Sequence, residues 1–148
     1  MTYSNTRSYL PIAAPPLRSV PLHFSAACFI GALLTDITYW KTAEMMWTNF
    51  SAWLLTSGLV LGGLAAIAAL VDLFVGRLPL RGATNWLYVV GNIAAFVVSL
   101  FNAFIHSRDA WSSVVPTGLI LSMVATVLIV INACLGWTIL RQRIGGLE

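Results

Sequence analysis

The stretch WLLTSGLVLGGLAAIAALVDLF, Trp53–Phe74, decides the fold. It runs 22 residues with a single ionisable side chain, Asp72, near its end. A helix needs about 20 apolar residues to cross ~30 Å of hydrocarbon. Three further stretches have the same character, at about Leu22–Trp40, Trp86–Ile105 and Val114–Leu140. They are too long for strands and lack strand alternation. A helix also satisfies its own backbone polar groups, as lipid demands. The expected fold is all-α: an integral membrane four-helix bundle of two antiparallel hairpins. It forms one transmembrane domain over residues 21–141, with spans at about 22–40, 53–74, 86–105 and 114–140. Residues 1–20 and 142–148 read as tails.

Composition points to the same solvent. The chain is 59% hydrophobic and 9% charged, where soluble domains carry about 25% charged residues. The net charge of +3 does not read as a nucleic-acid signal. Its basic residues are scattered and have no interleaved aromatics. Cys28 and Cys134 lie in apolar segments without a CxxC or Cys/His partner, so they read as free thiols. Pro11, Pro15 and Pro16 keep the N-terminal tail extended. No small-residue cleavage site follows the first apolar stretch, so that span is expected to be retained.

Charge asymmetry gives the orientation. Arg7, Arg18, Arg77, Arg81, Arg141 and Arg143 fall on one side of the spans, Lys41 and Arg108 on the other. The side richer in Lys and Arg is the cytoplasmic one. Both termini and the middle loop are therefore expected in the cytoplasm of a bacterium, with the protein in its inner membrane. Aromatic residues mark the two interfaces: Tyr39, Trp40, Trp47, Trp53 and Trp111 outside, Trp86, Tyr88 and Trp137 inside.

Polar residues at membrane depth are costly and mark candidate sites. An inner set comprises His23, Asp72, Asn92 and Asn132. Asp72 is expected to pair with Arg77 or Arg81. An outer set comprises Asp36, Lys41, Glu44, Asn102, His106, Arg108 and Asp109. In the third span Asn92, Ser99 and His106 recur at seven-residue steps, with Asn102 on an adjacent turn. They share one helix stripe that should face the bundle interior. If the first and third spans touch there, Asp36 and His106 form a carboxylate–imidazole pair. Such a pair relays protons or binds a cation; the alternative is a structural hydrogen bond that fixes helix register.

Gly58 and Gly62 form a GxxxG pair with Ala66 a turn further on, a spacing that lets helices approach closely. A short echo links Thr56–Gly62, TSGLVLG, with Pro116–Ser122, PTGLILS, as in two hairpins related by an axis along the membrane normal. Bis-histidine haem is not expected, because His23 and His106 fall at opposite ends of the membrane. No cofactor and no metal site is expected. There is no P-loop, dinucleotide glycine fingerprint, HExxH or GxSxG. A Ser107–His106–Asp109 triad has the wrong geometry for neighbours in one loop. The chain is not expected to be an enzyme.

The outer ends of the spans carry a family resemblance. They read GALLTD at 31–36, AEMMW at 43–47, FSAWLL at 50–55, NAFIHSRDAW at 102–111 and VPTGL at 115–119. Over about residues 15–140 the chain resembles the bacterial membrane family catalogued as domain of unknown function 2231. The resemblance implies a four-span inner-membrane protein and no particular activity. The family often opens its first span with histidine-proline and phenylalanine-proline. Here Phe24 is kept, Ser25 replaces proline, and Arg18 stands near the usual upstream histidine. That departure weakens the case for a metal or haem tied to the first span.

The sequence thus points to a non-enzymatic membrane protein. Its small polar site at the periplasmic face would be built from Asp36, Asn102, His106, Arg108 and Asp109. A proton, a cation or a small solute is the ligand. The alternative is a structural or assembly subunit that packs on a membrane partner or its own copy through the Gly58–Gly62 face. A weaker alternative is an accessory redox subunit using quinone or haem.

Overall fold

The computed structural model describes residues 18–76, 82–107 and 114–145, with the side chains of 143–145 left aside. Four helices follow one another: α1 (Ser19–Thr42), α2 (Met45–Phe74), α3 (Ala83–His106) and α4 (Leu119–Gly145). A kinked segment, Val114–Gly118, precedes α4 and is non-helical at Val115. Each helix is long and apolar enough to cross a membrane. At 1.5 Å per residue even α1 and α3 reach about 36 Å, more than the hydrocarbon core. No strand occurs among the described residues.

Helix α2 begins at Met45, eight residues before the apolar stretch that announced it. Thr48, Asn49 and Ser51 had broken the hydropathy signal there. They still lie on the helix, because α1 and α2 are joined by only Ala43 and Glu44. Ala43 takes the left-handed conformation (φ 55°), and its N–H donates to the Tyr39 carbonyl. This closes α1 and turns the chain back on itself. At the far end of α2, Gly76 (φ 72°) terminates the helix, donating its N–H to the Leu73 carbonyl.

Helix α1 packs chiefly on α2, and α3 on α4; α1 also meets α4, and α2 meets α3. The helices thus form a ring in which α1 and α3 are diagonal. Inside the first hairpin, Gly58 sits against Phe29 and Cys28, and Gly62 against Ser25 and Phe96. Inside the second, the antiparallel register sets His106 against Gly118, Gly91 against Asn132 and Tyr88 against Gly136. It also joins Asn102 to Ser122 by a hydrogen bond.

Burial corrects one expectation. The inward stripe of α2 is Ser51, Leu55, Gly58, Gly62 and Ala65. Ala66 is exposed. The 3.6-residue period alternates steps of four and three, so extending the stripe by a further four overshoots the seam. The Gly58–Gly62 face is moreover occupied within the protomer, by α1 and by Phe96 of α3. The outward surface is predominantly apolar. Trp53 is 73% exposed and Phe74 86%, among many exposed Leu, Ile and Val side chains. Such a surface belongs in lipid.

Candidate functional site

The buried side chains are unusually polar for a membrane bundle. Ser25, Asp36, Ser51, Ser99, Asn102, His106, Ser122 and Asn132 are all buried. They divide by height. The upper end is taken as that of the Ala43–Glu44 turn, the lower end as that where α1 starts.

The upper cluster centres on Asp36, which is 0% exposed. Its carboxylate receives a hydrogen bond from each of the other three helices. Ser51 of α2 donates to Oδ1 at 2.5 Å. His106 of α3 places Nε2 2.9 Å from the same oxygen. Ser122 of α4 donates to Oδ2 at 2.5 Å. The next ring of contacts fixes these donors. Asn102 Nδ2 donates to Ser122 Oγ at 2.7 Å, so the single Ser122 proton is left for Asp36. Thr35 Oγ1 lies 2.7 Å from Ser51 Oγ.

The histidine can be read for protons as well. Its Nδ1 is 3.0 Å from the carbonyl oxygen of Asn102. A carbonyl only accepts, so Nδ1 carries a hydrogen. One further proton then lies between Nε2 and Oδ1. It sits on nitrogen, giving imidazolium and carboxylate, or on oxygen, giving imidazole and carboxylic acid. Both forms are neutral overall. A lone charge at this depth is expensive; a neutral pair with three donors on the carboxylate is not. Gly118 makes room for the ring, because a Cβ there would stand 2.9 Å from His106 Cε1.

The site residues expected from the sequence therefore part company. The structure brings Asp36, Asn102 and His106 together, while Arg108 and Asp109 lie outside the described residues. Ser51 and Ser122 join the site unannounced. A serine in an apolar helix is ordinary, and only its height opposite Asp36 marks it. Ser99, expected on the α3 stripe, is fully buried. Asn92 is less so, and its amide donates to the Tyr88 carbonyl one turn back. Among the described residues no group of three or more His, Cys, Asp or Glu side chains is placed to hold a metal.

The lower end carries a different contact. Asp72 pairs with Arg18, Oδ2 to NH1 at 2.5 Å, both partly exposed. The expected partners, Arg77 and Arg81, lie outside the described residues. Antiparallel packing carries the start of α1 to the end of α2, which brings Arg18 to Asp72. Ser25 donates to the Gly58 carbonyl at 2.7 Å. Thus Arg18 and Ser25 both tie α1 to α2. His23 is exposed, with Nδ1 2.5 Å from the Ser19 carbonyl. It stands 13 residues from Asp36 on α1, about 20 Å along the axis. The two histidines are therefore at opposite ends, and both ring nitrogens of His106 are engaged.

Fold and site together define a four-span membrane bundle with a buried carboxylate–imidazole pair at one end. The chain belongs to the family described as "Predicted membrane protein (DUF2231)", whose model matches residues 14–145. This agrees with the resemblance carried by the span ends. No curated protein and no solved structure matches the chain.

Proposed function

We propose that this is a non-enzymatic inner-membrane protein whose upper cluster is a proton site at the periplasmic face. The observation that carries the reading is the pairing of Asp36 Oδ1 with His106 Nε2 at 2.9 Å, both side chains fully buried. The pair holds one proton at neutrality and accepts a second when the carboxylate and both ring nitrogens are protonated. That step puts a net positive charge where three helices converge on one carboxylate. Proton binding and helix contact are thereby linked. Among the described residues the only ion pair that includes Asp36 or His106 is the one between them.

Three features favour a proton over the other ligands. Every oxygen of Asp36 already faces a donor, which leaves no carboxylate oxygen open to a cation. The carboxylate is closed to solutes by its own partners. The serines donate to the carboxylate rather than to the imidazole, unlike a nucleophile-base-acid relay. The periplasmic placement rests on the six-to-two division of Arg and Lys. The assembly reading loses its support, since the Gly58–Gly62 face is filled by the protomer itself.

Infrared difference spectroscopy on acidification of protein in lipid nanodiscs tests the reading. A carboxylic-acid C=O band should appear or shift in the wild type, according to which partner holds the first proton, and this change should be absent in Asp36→Asn. The same change in both proteins, or in neither, sinks the proton site. A C-terminal reporter active in the periplasm would overturn the placement.

A further inference from the structure

Below the Asp36–His106 pair the interior stays polar, and several of its atoms have no partner. Ser99 Oγ and Asn102 Oδ1 are buried and make no hydrogen bond with protein. Both residues are 0% exposed. They lie three apart on the inward stripe of α3, so their side chains are neighbours roughly 5–6 Å apart at Cβ. Asn102 cannot simply be turned over. Ser122 gives its proton to Asp36 and must receive one from Asn102 Nδ2, which leaves Oδ1 as the unpaired atom. Unpaired buried atoms continue downward on α4, at Thr126 Oγ1 and Asn132 Nδ2. Asn132 packs against Gly91, eight residues below Ser99 on α3, about 12 Å along the axis.

Buried polar groups of this kind are satisfied by water, which needs two to four polar partners. We propose that the α3–α4 seam holds a bound water between Ser99 Oγ and Asn102 Oδ1, and that this water exchanges protons with the Asp36–His106 pair through Ser122. The inference rests on the proton-site reading and gives that site its source of protons. Ser122 is suited to the link. Its oxygen accepts from Asn102 and keeps a second lone pair, while its proton already points at Asp36 Oδ2. When the seam water carries an excess proton, one of its O–H bonds breaks as an O–H bond forms at Ser122 Oγ, and the water is left neutral. Ser122's own O–H bond breaks, and its proton moves to Oδ2. A half-turn of the Asp36 carboxyl group in its acid form carries the hydrogen between the Ser122 side and His106 Nε2, and the reverse sequence returns a proton to the water with no net charge left behind.

The test is exchange of the His106 ring proton in D2O, read by 15N NMR on histidine-labelled protein in nanodiscs. His23→Gln removes the second histidine signal. Ser99→Thr and Ser99→Val share a shape and differ in the hydroxyl. Loss of one hydrogen bond to the water should slow exchange about tenfold in Ser99→Val, while Ser99→Thr stays near the wild-type rate. Ser99→Ala, which adds no volume, should also slow exchange and serves if the larger variants fail to fold. Wild-type rates in both Ser99→Val and Ser99→Ala overturn the water site, as does equal slowing in Ser99→Thr and Ser99→Val. Asp36→Asn separates the two ideas. It should shift the His106 nitrogen signals; if it leaves them unchanged, the acid–base pair itself is wrong, whatever the Ser99 variants do.

Discussion

Asp36 on α1 and His106 on α3 meet across the diagonal of the bundle, Oδ1 to Nε2 at 2.9 Å. Neighbouring helices in a membrane can adhere through small residues and close packing. Diagonal helices do not share such a seam. A hydrogen-bonded pair through the centre therefore adds a constraint that packing alone does not supply. It also sets α1 and α3 at one height, because a shift by a single turn of about 5.4 Å would separate the two groups entirely.

Removing one member should expose this dependence. Asp36→Asn leaves three donors facing an amide, and breaking a buried pair from one side costs about 3–5 kcal/mol. Asp36→Asn and His106→Gln together should cost less than the sum of the two single changes. Unfolding in detergent, followed by Trp fluorescence, gives all four stabilities. Strict additivity would show that the residues do not act as a pair.

Glycine positions offer a graded set. A Cβ at Gly58 would lie 2.6 Å from Phe29 Cε1, and at Gly118 2.9 Å from His106 Cε1. Gly58→Ala and Gly118→Ala should each destabilise by about 1–3 kcal/mol through overpacking. A Cβ at Gly63 meets nothing within 4 Å, so Gly63→Ala should be neutral or stabilising by up to ~1 kcal/mol. Gly118→Ala alone should also alter the His106 ring signals. Equal effects at all three sites would contradict the packing described.

The lower ion pair should matter far less than the upper one. Arg18 and Asp72 retain partial exposure, and such pairs contribute about 0.2–1 kcal/mol. Arg18→Gln should therefore lower stability slightly, and the loss should shrink in high salt. A loss as large as that of Asp36→Asn would mean that the two ends are coupled.

The turn between α1 and α2 can be improved. Ala43 holds φ 55°, a conformation that costs an L-residue roughly 1–2 kcal/mol. Ala43→Gly should raise stability by up to about 1 kcal/mol once the greater chain entropy of glycine is counted. Thermal unfolding would read the change, and destabilisation would argue against the left-handed closure of α1.

How much of this was legible in the sequence depends on the kind of signal. The spans were plain, because lipid filters side chains by hydropathy over 20 residues at a time. Asn102 and His106 were legible because polar side chains are rare at that depth and these fall on one helical stripe. Ser51 and Ser122 were not. A serine proton is silent until a carboxylate stands opposite, and that depends on where two other helices lie. Register explains the remaining differences. Ala65 rather than Ala66 faces inward because a helix does not repeat in fours. Arg18 reaches Asp72 because the α1–α2 hairpin lays the start of one helix beside the end of the other.

The order of the chain gives the carboxylate of Asp36 a history. Its three donors lie 15, 70 and 86 residues further on, at Ser51, His106 and Ser122. During synthesis the first hairpin can enter the membrane with only Ser51 to offer. The other two donors arrive with α3 and α4, after most of the protein has been made. Until then the first hairpin carries an incompletely paired acid into lipid. The same residue that locks the finished bundle therefore marks an unfinished one, and a chain truncated after α2 should be short-lived in the membrane.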